Sequence, residues 1–246
     1  MYLTSGITVT GGLVVGTASD STTINNTLLL SGIYGSNAAT NNTFVDSSGY
    51  NNTITRSGNV TQGSFTPFNS NYSVNLNGSS NYISLPSSTN YVFGTGNFTI
   101  ECWVMLGAAP GSAAQVIDFR PASTQGLYPT LYISSDRTIR YYTNSADRIT
   151  GSALTLNNWY HIAVVRNSSV TTLYVNGTAS GSTYADTNLY LQGGIFIGAS
   201  YAGGASITNY LTGYVSNVRV TRGTALYTAT FTPSRSEEHT SELQSH

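Results

Sequence analysis

The sequence predicts an all-β protein, an antiparallel two-sheet sandwich of the jelly-roll type, and three observations carry that prediction. Short apolar segments with period-two alternation recur at roughly 8–15-residue intervals. Glycine and asparagine punctuate the gaps between them. No stretch holds an apolar 3.6-residue period long enough for a substantial helix.

Residues 1–26 alternate weakly, with Ile7-Thr-Val9 and Leu13-Val-Val15 separated by Gly11-Gly12 and followed by a polar run. They read as a spacer or the end of a preceding β segment. Residues 27–234 read as one domain. It opens with Leu28-Leu-Leu30, a buried strand, and continues through polar residues 36–59, with turns at Asp46-Ser-Ser-Gly49 and Ser57-Gly58. Ser73-Val-Asn-Leu76 and Tyr82-Ile-Ser-Leu85 are two short strands that a tight Asn77-Gly78 turn would join. Phe98-Thr-Ile-Glu-Cys-Trp-Val-Met-Leu106 alternates, placing Phe98, Ile100, Cys102, Val104 and Leu106 on one face. Further strands are predicted at Val116-Ile-Asp-Phe119, Leu131-Tyr-Ile133 and Thr138-Ile-Arg-Tyr-Tyr142. The series continues with Trp159-Tyr-His-Ile-Ala-Val-Val-Arg166, then Thr172-Leu-Tyr-Val175 closed by Asn176-Gly177, Ile195-Phe-Ile-Gly198 and Gly213-Tyr-Val-Ser-Asn-Val-Arg-Val220.

Composition narrows the function. Of 246 residues, 39% are hydrophobic and 11% aromatic, enough for a sizeable core, yet only 8% are charged, against about 25% in ordinary soluble proteins. All nine cations are arginine. Without lysine there is no lysine nucleophile or Schiff base, and the usual basic patch of a nucleic-acid binder is missing. A net charge of −1 steers neither anions nor cations strongly. The lone Cys102 excludes an internal disulfide and a cysteine-based zinc site. No apolar run approaches the roughly 20 residues of a membrane helix, so no membrane insertion is expected. Such a neutral chain, rich in Gly, Ser, Thr, Asn and Tyr, suits extracellular or virion-surface service.

Residues 235–246 differ from the rest: Arg-Ser-Glu-Glu-His-Thr-Ser-Glu-Leu-Gln-Ser-His holds three of the four glutamates and two of the three histidines. The run matches, residue for residue from Arg235 to Ser245, the conceptual translation of a common sequencing-library adapter. It is expected to be an artefact, disordered, and is set aside from functional reasoning.

Four elements occur in order: Gly96-Asn-Phe-Thr-Ile-Glu-Cys-Trp103, Trp159-Tyr-His-Ile-Ala-Val-Val-Arg166, Leu173-Tyr-Val-Asn-Gly177 and Gly213-Tyr-Val-Ser-Asn-Val-Arg-Val220. The series resembles the laminin-G-like, concanavalin A-like lectin/glucanase superfamily. In that pattern F-T-(I/V)-E-x-W-V precedes W-x-H-(V/I)-A, L-Y-(V/I)-(D/N)-G and a final G-x-(I/V)-D-D-(V/I)-R. Each motif alone is weak; together they are specific, over residues 28–233. The closing Thr221-Arg-Gly-Thr-Ala-Leu-Tyr-Thr and Phe231-Thr-Pro look like a variant common in phage and environmental proteins. The resemblance implies two antiparallel sheets of about six or seven strands each.

The superfamily includes glucanases, which canonically need two carboxylates flanking the scissile bond and supply them as Glu-x-Asp-x-x-Glu on one strand face. Here Glu101 is the sole glutamate before residue 235, and no two carboxylates stand at i, i+2 or i+4 on a predicted strand. Nor is there a Gly-x-Ser-x-Gly partner for His161 or a lysine-bearing phosphate loop. Catalysis is not expected. Trp103 and Trp159 are read as filling the space between the sheets, and His161 as a hydrogen-bonded packing residue. Glu101 and Asp118 are expected to face outward or pair with an arginine such as Arg140 or Arg166.

The resemblance also implies one structural calcium on loop oxygens. Asp46 matches an early acidic loop of the family, Asp186 is another loop candidate, and Ser216-Asn217 stands where the family has Asp-Asp, leaving Asn217 as a weakened ligand. The competing reading makes these aspartates turn formers. For glycan binding, Tyr184, Tyr190, Tyr201 and Tyr210 are interleaved with polar residues such as Asn188. Tyrosine rings stack on sugar C–H faces while amides bond hydroxyls. The leading functional reading is a non-enzymatic module binding a glycan or host-surface polysaccharide, within a larger virion or surface polypeptide such as a phage tail or fibre-like protein or a secreted adhesin. The alternatives are a structural spacer or decoration domain without a ligand and, less favoured, a glycoside hydrolase.

Overall fold

The computed structural model describes residues 26–30, 41–67, 73–121, 126–191, 193–201 and 206–233. The expected spacer (1–25) and the adapter-like run (235–246) lie outside the described residues. In chain order the strands are β1 (Asn26–Leu30), β2 (Thr55–Ser57), β3 (Gln62–Gly63), β4 (Ser73–Asn77), β5 (Tyr82–Ser88), β6 (Phe98–Leu106), β7 (Ala113–Asp118) and β8 (Thr130–Ser134). They continue with β9 (Thr138–Thr143), β10 (Ala146–Ala153), β11 (Trp159–Asn167), β12 (Val170–Val175), β13 (Thr178–Ala179), β14 (Tyr184–Ala185), β15 (Gly193–Ile197) and β16 (Thr212–Arg222). A 3₁₀ turn, Thr89–Tyr91, is capped by the Ser88 hydroxyl, which accepts from the Asn90 amide.

Two antiparallel sheets result. The nine-stranded sheet runs β13-β12-β11-β6-β16-β4-β3, with β1 paired to β16 and β14 to β12; the seven-stranded sheet runs β10-β9-β8-β7-β15-β5-β2. The alternation read from the sequence decides which side chains meet between them. Phe98, Ile100, Cys102, Val104 and Leu106 of β6 face Ile83, Leu85, Leu131, Ile133, Ile139, Tyr141, Ile195 and Ile197 from the opposite sheet in one continuous core. Each such side chain contributes about 1.5–3 kcal/mol on burial.

Two-residue hairpins fall where both central residues accept positive φ: Asn144-Ser145 between β9 and β10, Ser168-Ser169 between β11 and β12, and Asn176-Gly177 between β12 and β13. At Gly177 a Cβ would stand 1.8 Å from the Phe231 carbonyl oxygen, so the later chain closes directly onto this turn.

Three local readings are corrected. Asn77-Gly78 does not close a hairpin, because β4 and β5 belong to different sheets. The Asn77 carboxamide oxygen instead accepts from the amides of Ser79, Ser80 and Asn81 at 2.9–3.1 Å, organising a sheet-to-sheet crossing. Strand β10 was not legible, since only Ile149 of Ala-Asp-Arg-Ile-Thr-Gly-Ser-Ala enters the core. Third, Trp103 and Trp159 do not lie between the sheets. With Cys102 and Val104 inward, period two turns Trp103 outward. It packs against His161, while Trp159 meets Phe65 and Tyr214.

The 11-residue β16 is the spine of its sheet, flanked by β6 on one side and by β4 and β1 on the other. A bulge between Ser216 and Arg219, with Asn217 at φ 46°, puts Arg219 directly opposite Glu101.

Candidate functional site

The outer face of the seven-stranded sheet follows from the same alternation. Ile83 and Leu85 point inward from β5, so Tyr82 and Ser84 point out; Ile195 and Ile197 leave Phe196 outward on β15. Leu131 and Ile133 leave Tyr132 outward on β8, and Ile139 and Tyr141 leave Arg140 and Tyr142 outward on β9. Four half-buried rings then touch in series across this face. Tyr210 lies 6.3 Å from Tyr82, Tyr82 6.2 Å from Phe196 and Phe196 6.1 Å from Tyr201, centroid to centroid.

Beside this chain of rings, Asp118 ends β7 directly opposite Phe196 in register. Its carboxylate is fully buried and accepts from Arg120 through Nε and Nη2, both at 2.8 Å, and from the Arg120 amide at 3.0 Å. The Thr130 hydroxyl at 3.1 Å and the Ser200 hydroxyl at 2.8 Å complete the set. The bidentate fork fixes the guanidinium plane, which lies 5.3 Å from the centre of the Tyr142 ring. Ser112, Ala113, Gln115, Arg120, Thr130, Tyr132, Ser134, Tyr142 and Asn209 line a pocket of about 370 Å³.

The pocket rim is a charge network. Arg140 bonds Asp147 at 2.6 Å and Asp136 at 3.1 Å, and the Tyr132 hydroxyl donates to Asp147 at 2.7 Å. Burial, then the bond to Asp147, pushes the Tyr132 hydroxyl up to about 12. Hydrogen bonds from the Thr138 hydroxyl and amide, helped by Arg140, hold the Asp136 carboxyl down at about 2.

Of the residues singled out in the sequence, Tyr201 and Tyr210 converge on this face; Tyr184, Asn188 and Tyr190 do not. Tyr190 is 0% exposed, its hydroxyl 2.8 Å from both the Tyr141 hydroxyl and the Asp186 carboxylate, so its ring offers no face to a ligand. That expectation is corrected: a polar-loop setting failed as a guide because Tyr190 enters the core between the sheets and meets Phe98 edge-to-face at 5.8 Å. The Asn188 amide donates to Asp186, Tyr184 and Tyr190, which commits it to the protein. Tyr184 is half-buried beneath the Arg148 guanidinium.

The calcium ligands expected from the resemblance do not fit one ion. The buried Asp186 carboxylate accepts from Thr171, Tyr190 and Asn188 and has the Arg166 guanidinium 4.0 Å away. The oxygens of Asp46 accept from the Ser48 amide and hydroxyl and from the Asn52 amide and carboxamide, an Asx-type loop closure. Asn217 sits in the β16 bulge. Among the described residues, no group of three or more His, Cys, Asp or Glu is arranged to hold a metal.

Glu101 lies on the outer face of the other sheet. It is 1% exposed, bonded to Arg219, with His161 Nε2 at 3.1 Å from its carboxylate. The partner is Arg219, neither Arg140 nor Arg166. Glu101 and Asp118 therefore point away from one another on opposite sides of the molecule. Sequence reading missed Tyr82, Tyr132, Tyr142, Phe196 and Arg120. Each outward residue was available from its strand's own alternation, but the strand order that brings them together was not.

Comparisons with known proteins agree with this architecture. The chain resembles a solved structure of botulinum neurotoxin type C described for cell entry through two ganglioside molecules (TM-score 0.61, 17% identity, covering 83% of this chain and 49% of that one). It also resembles the binding domain of botulinum neurotoxin DC in complex with SialylT (0.60, 16%, 82% and 48%) and in complex with rat synaptotagmin II (0.60, 16%, 83% and 50%). At these identities the likeness is one of fold, and this chain spans about half the length of those proteins. No curated protein matches its sequence. The family pattern of the Concanavalin A-like lectin/glucanases superfamily, however, matches residues 77–226, from the sheet crossing at Asn77 to beyond the end of β16, and the chain belongs to that superfamily.

Proposed function

We propose that this chain is a non-catalytic carbohydrate- or cell-surface-binding module, and that the outer face of the seven-stranded sheet is its binding surface. The observation that carries the reading is the run of four half-exposed rings, Tyr210–Tyr82–Phe196–Tyr201, linked through Asp118 to a polar pocket lined by the braced Arg120 guanidinium. Aromatic faces supply apolar contact to sugar C–H surfaces, and the hydroxyls and amides of the pocket supply directional bonds. Rigid strands hold both, so little ordering is needed on binding. Relatives of the same fold are described with gangliosides and a sialylated ligand, which supports surface glycans as the ligand class. A non-catalytic role is supported by Glu101 and Asp118, which lie on opposite faces with their oxygens engaged. The low-charge, lysine-free composition supports an exposed setting, as part of a phage tail or fibre-like protein or a secreted adhesin.

A glycan array followed by calorimetry on the bound hits tests the reading. Phe196→Ala and Tyr201→Ala are expected to weaken binding by about threefold to tenfold each, since one aromatic contact is worth roughly 0.5–1.5 kcal/mol. Tyr184→Ala, on the other sheet, is expected to leave binding unchanged. An array with no signal above background, from a chain that is an obligate oligomer by light scattering, would favour a ligand-free structural module instead.

A further inference from the structure

Resting on that reading, we infer that the ligand of this face is an uncharged glycan chain, bound along an internal run of several sugar rings rather than by an acidic terminal sugar. The first ground is charge matching. The face and its rim carry Arg120 and Arg140 and, against them, Asp118, Asp136 and Asp147. Each of these cations is paired with at least one carboxylate, leaving no excess positive field to attract a carboxylate or sulfate.

The second ground is the state of Arg120, the cation lining the pocket. Recognition of an acidic sugar favours a guanidinium that presents two parallel N–H groups to the incoming carboxylate. Here Nε and Nη2 already make that fork with Asp118, Nη2 also reaches the Ser200 hydroxyl at 3.2 Å, and one planar face lies over Tyr142. An anionic ligand would have to displace a buried carboxylate held by five donors. A sugar hydroxyl, which donates and accepts, matches the half-buried Ser134 and Asn209 groups of the pocket.

The third ground is length. From Tyr82 on β5 to Tyr142 on β9 the aromatic and polar groups cross β5, β15, β7, β8 and β9 in neighbouring order. Four strand spacings of about 4.8 Å make roughly 19 Å, too long for one sugar and suited to several in a row. Tyr82 and Phe196 at one end and Tyr142 at the other give such a chain a stacking surface at both ends.

The test uses matched pairs on one array: neutral hexose oligomers of increasing length, and counterparts carrying sialic acid, a uronic acid or sulfate, each probed at low and high salt. Neutral oligomers are expected to bind, with affinity rising about tenfold or more from disaccharide to longest oligomer and changing less than about twofold with salt. Asp136→Asn combined with Asp147→Asn removes both partners of Arg140 at an exposed rim. It is expected to add salt-sensitive binding of the acidic counterparts, about tenfold over the parent. If the parent chain prefers acidic glycans and loses them in high salt, the neutral assignment is overturned while glycan binding stands. If affinity is flat with length, the internal-run assignment is overturned. If nothing on the array binds, both this inference and the binding reading fall.

Discussion

On the outer face of the nine-stranded sheet, Glu101, Arg219 and His161 form a buried charged cluster with an aromatic roof. The chain after β16 turns back over it: Thr99 donates to the Thr224 carbonyl, the Leu226 amide donates to Thr99, and the Tyr227 hydroxyl accepts from Arg219 at 3.0 Å. Tyr227 and Phe231 lie stacked at 3.5 Å, and Phe231 reaches both His161 and Tyr174. On the outer face of the seven-stranded sheet, Asp118 and Arg120 form a pair just as well bonded, but it borders a pocket and half-exposed rings. Two outward carboxylates, both buried, thus acquire different surroundings. What differs is the covering segment, since residues 223–233 close over one face. Ion pairs of this kind add little net stability by themselves; the sealed pair is tied to a folded strap, whereas the open pair shapes a surface.

The largest expected effect separates the two. Glu101→Gln leaves Arg219 buried beside His161 without its anion and is expected to cost about 3–5 kcal/mol, read as a shift of the denaturant midpoint with unchanged slope. Asp118→Asn is expected to cost less, roughly 1–3 kcal/mol, because Arg120 lines a pocket that water can enter. Equal losses would show that the strap does not isolate Glu101 from solvent.

Next comes the roof itself. Phe231→Ala removes the stacked partner of Tyr227 and the contacts to His161 and Tyr174. A fully buried phenylalanine costs about 3–5 kcal/mol when truncated. Phe231 is only half-buried, so the expected loss is nearer ~2 kcal/mol. By contrast, Phe196→Ala on the open face is expected to lower stability by less than ~1 kcal/mol while lowering glycan affinity. A variant that loses binding only in proportion to stability would argue against the open face as a site. Cys102 supplies an internal check for both variants. It is 0% exposed, and burial with the neighbouring Glu101 charge raises its thiol well above the usual range, so reaction with a thiol reagent reports opening of the sandwich.

This contrast also marks how far the sequence could be read. The strand faces were legible because a half-buried strand alternates: Phe98 to Leu106, Leu131 to Ile133 and Trp159 to Arg166 all fall where period two places them. Glu101 was legible as outward but not as buried. Its cover comes from Tyr227 and Phe231, more than a hundred residues later, and no local pattern announces that a tail will fold back. The open face was hidden for a related reason. Phe196 of β15 lies between Tyr82 of β5 and Asp118 of β7 only because β15 is inserted between those strands, a long-range pairing. Tyr190 misled in the opposite sense. In Asn188-Leu-Tyr-Leu the leucines are exposed and the tyrosine is buried, since its hydroxyl finds Tyr141 and Asp186.

The smallest expected effect lies at the rim of the open face and concerns pH. Asp136 is exposed, yet hydrogen bonds from the Thr138 hydroxyl and amide at 2.7 and 3.0 Å, with Arg140 at 3.1 Å, favour its charged form and lower it from 3.8 to about 2. A carboxyl depressed in the folded state stabilises it above the unfolded value and loses that contribution as pH falls through the folded value. Asp136→Asn should therefore be less stable than the parent at neutral pH, by a small margin because solvent screens an exposed pair. The margin should close as pH drops from about 4 to about 2. Chemical denaturation of both proteins across that range checks the closing margin, and a carboxyl NMR titration checks the depressed value directly. The sealed face should not follow this course, because its carboxylate is held by Arg219 and roofed by the strap. A margin that stays constant down to the acid limit would show that Thr138 and Arg140 do not hold the Asp136 charge, and with it would go the charge-matched rim on which neutral-ligand selectivity depends.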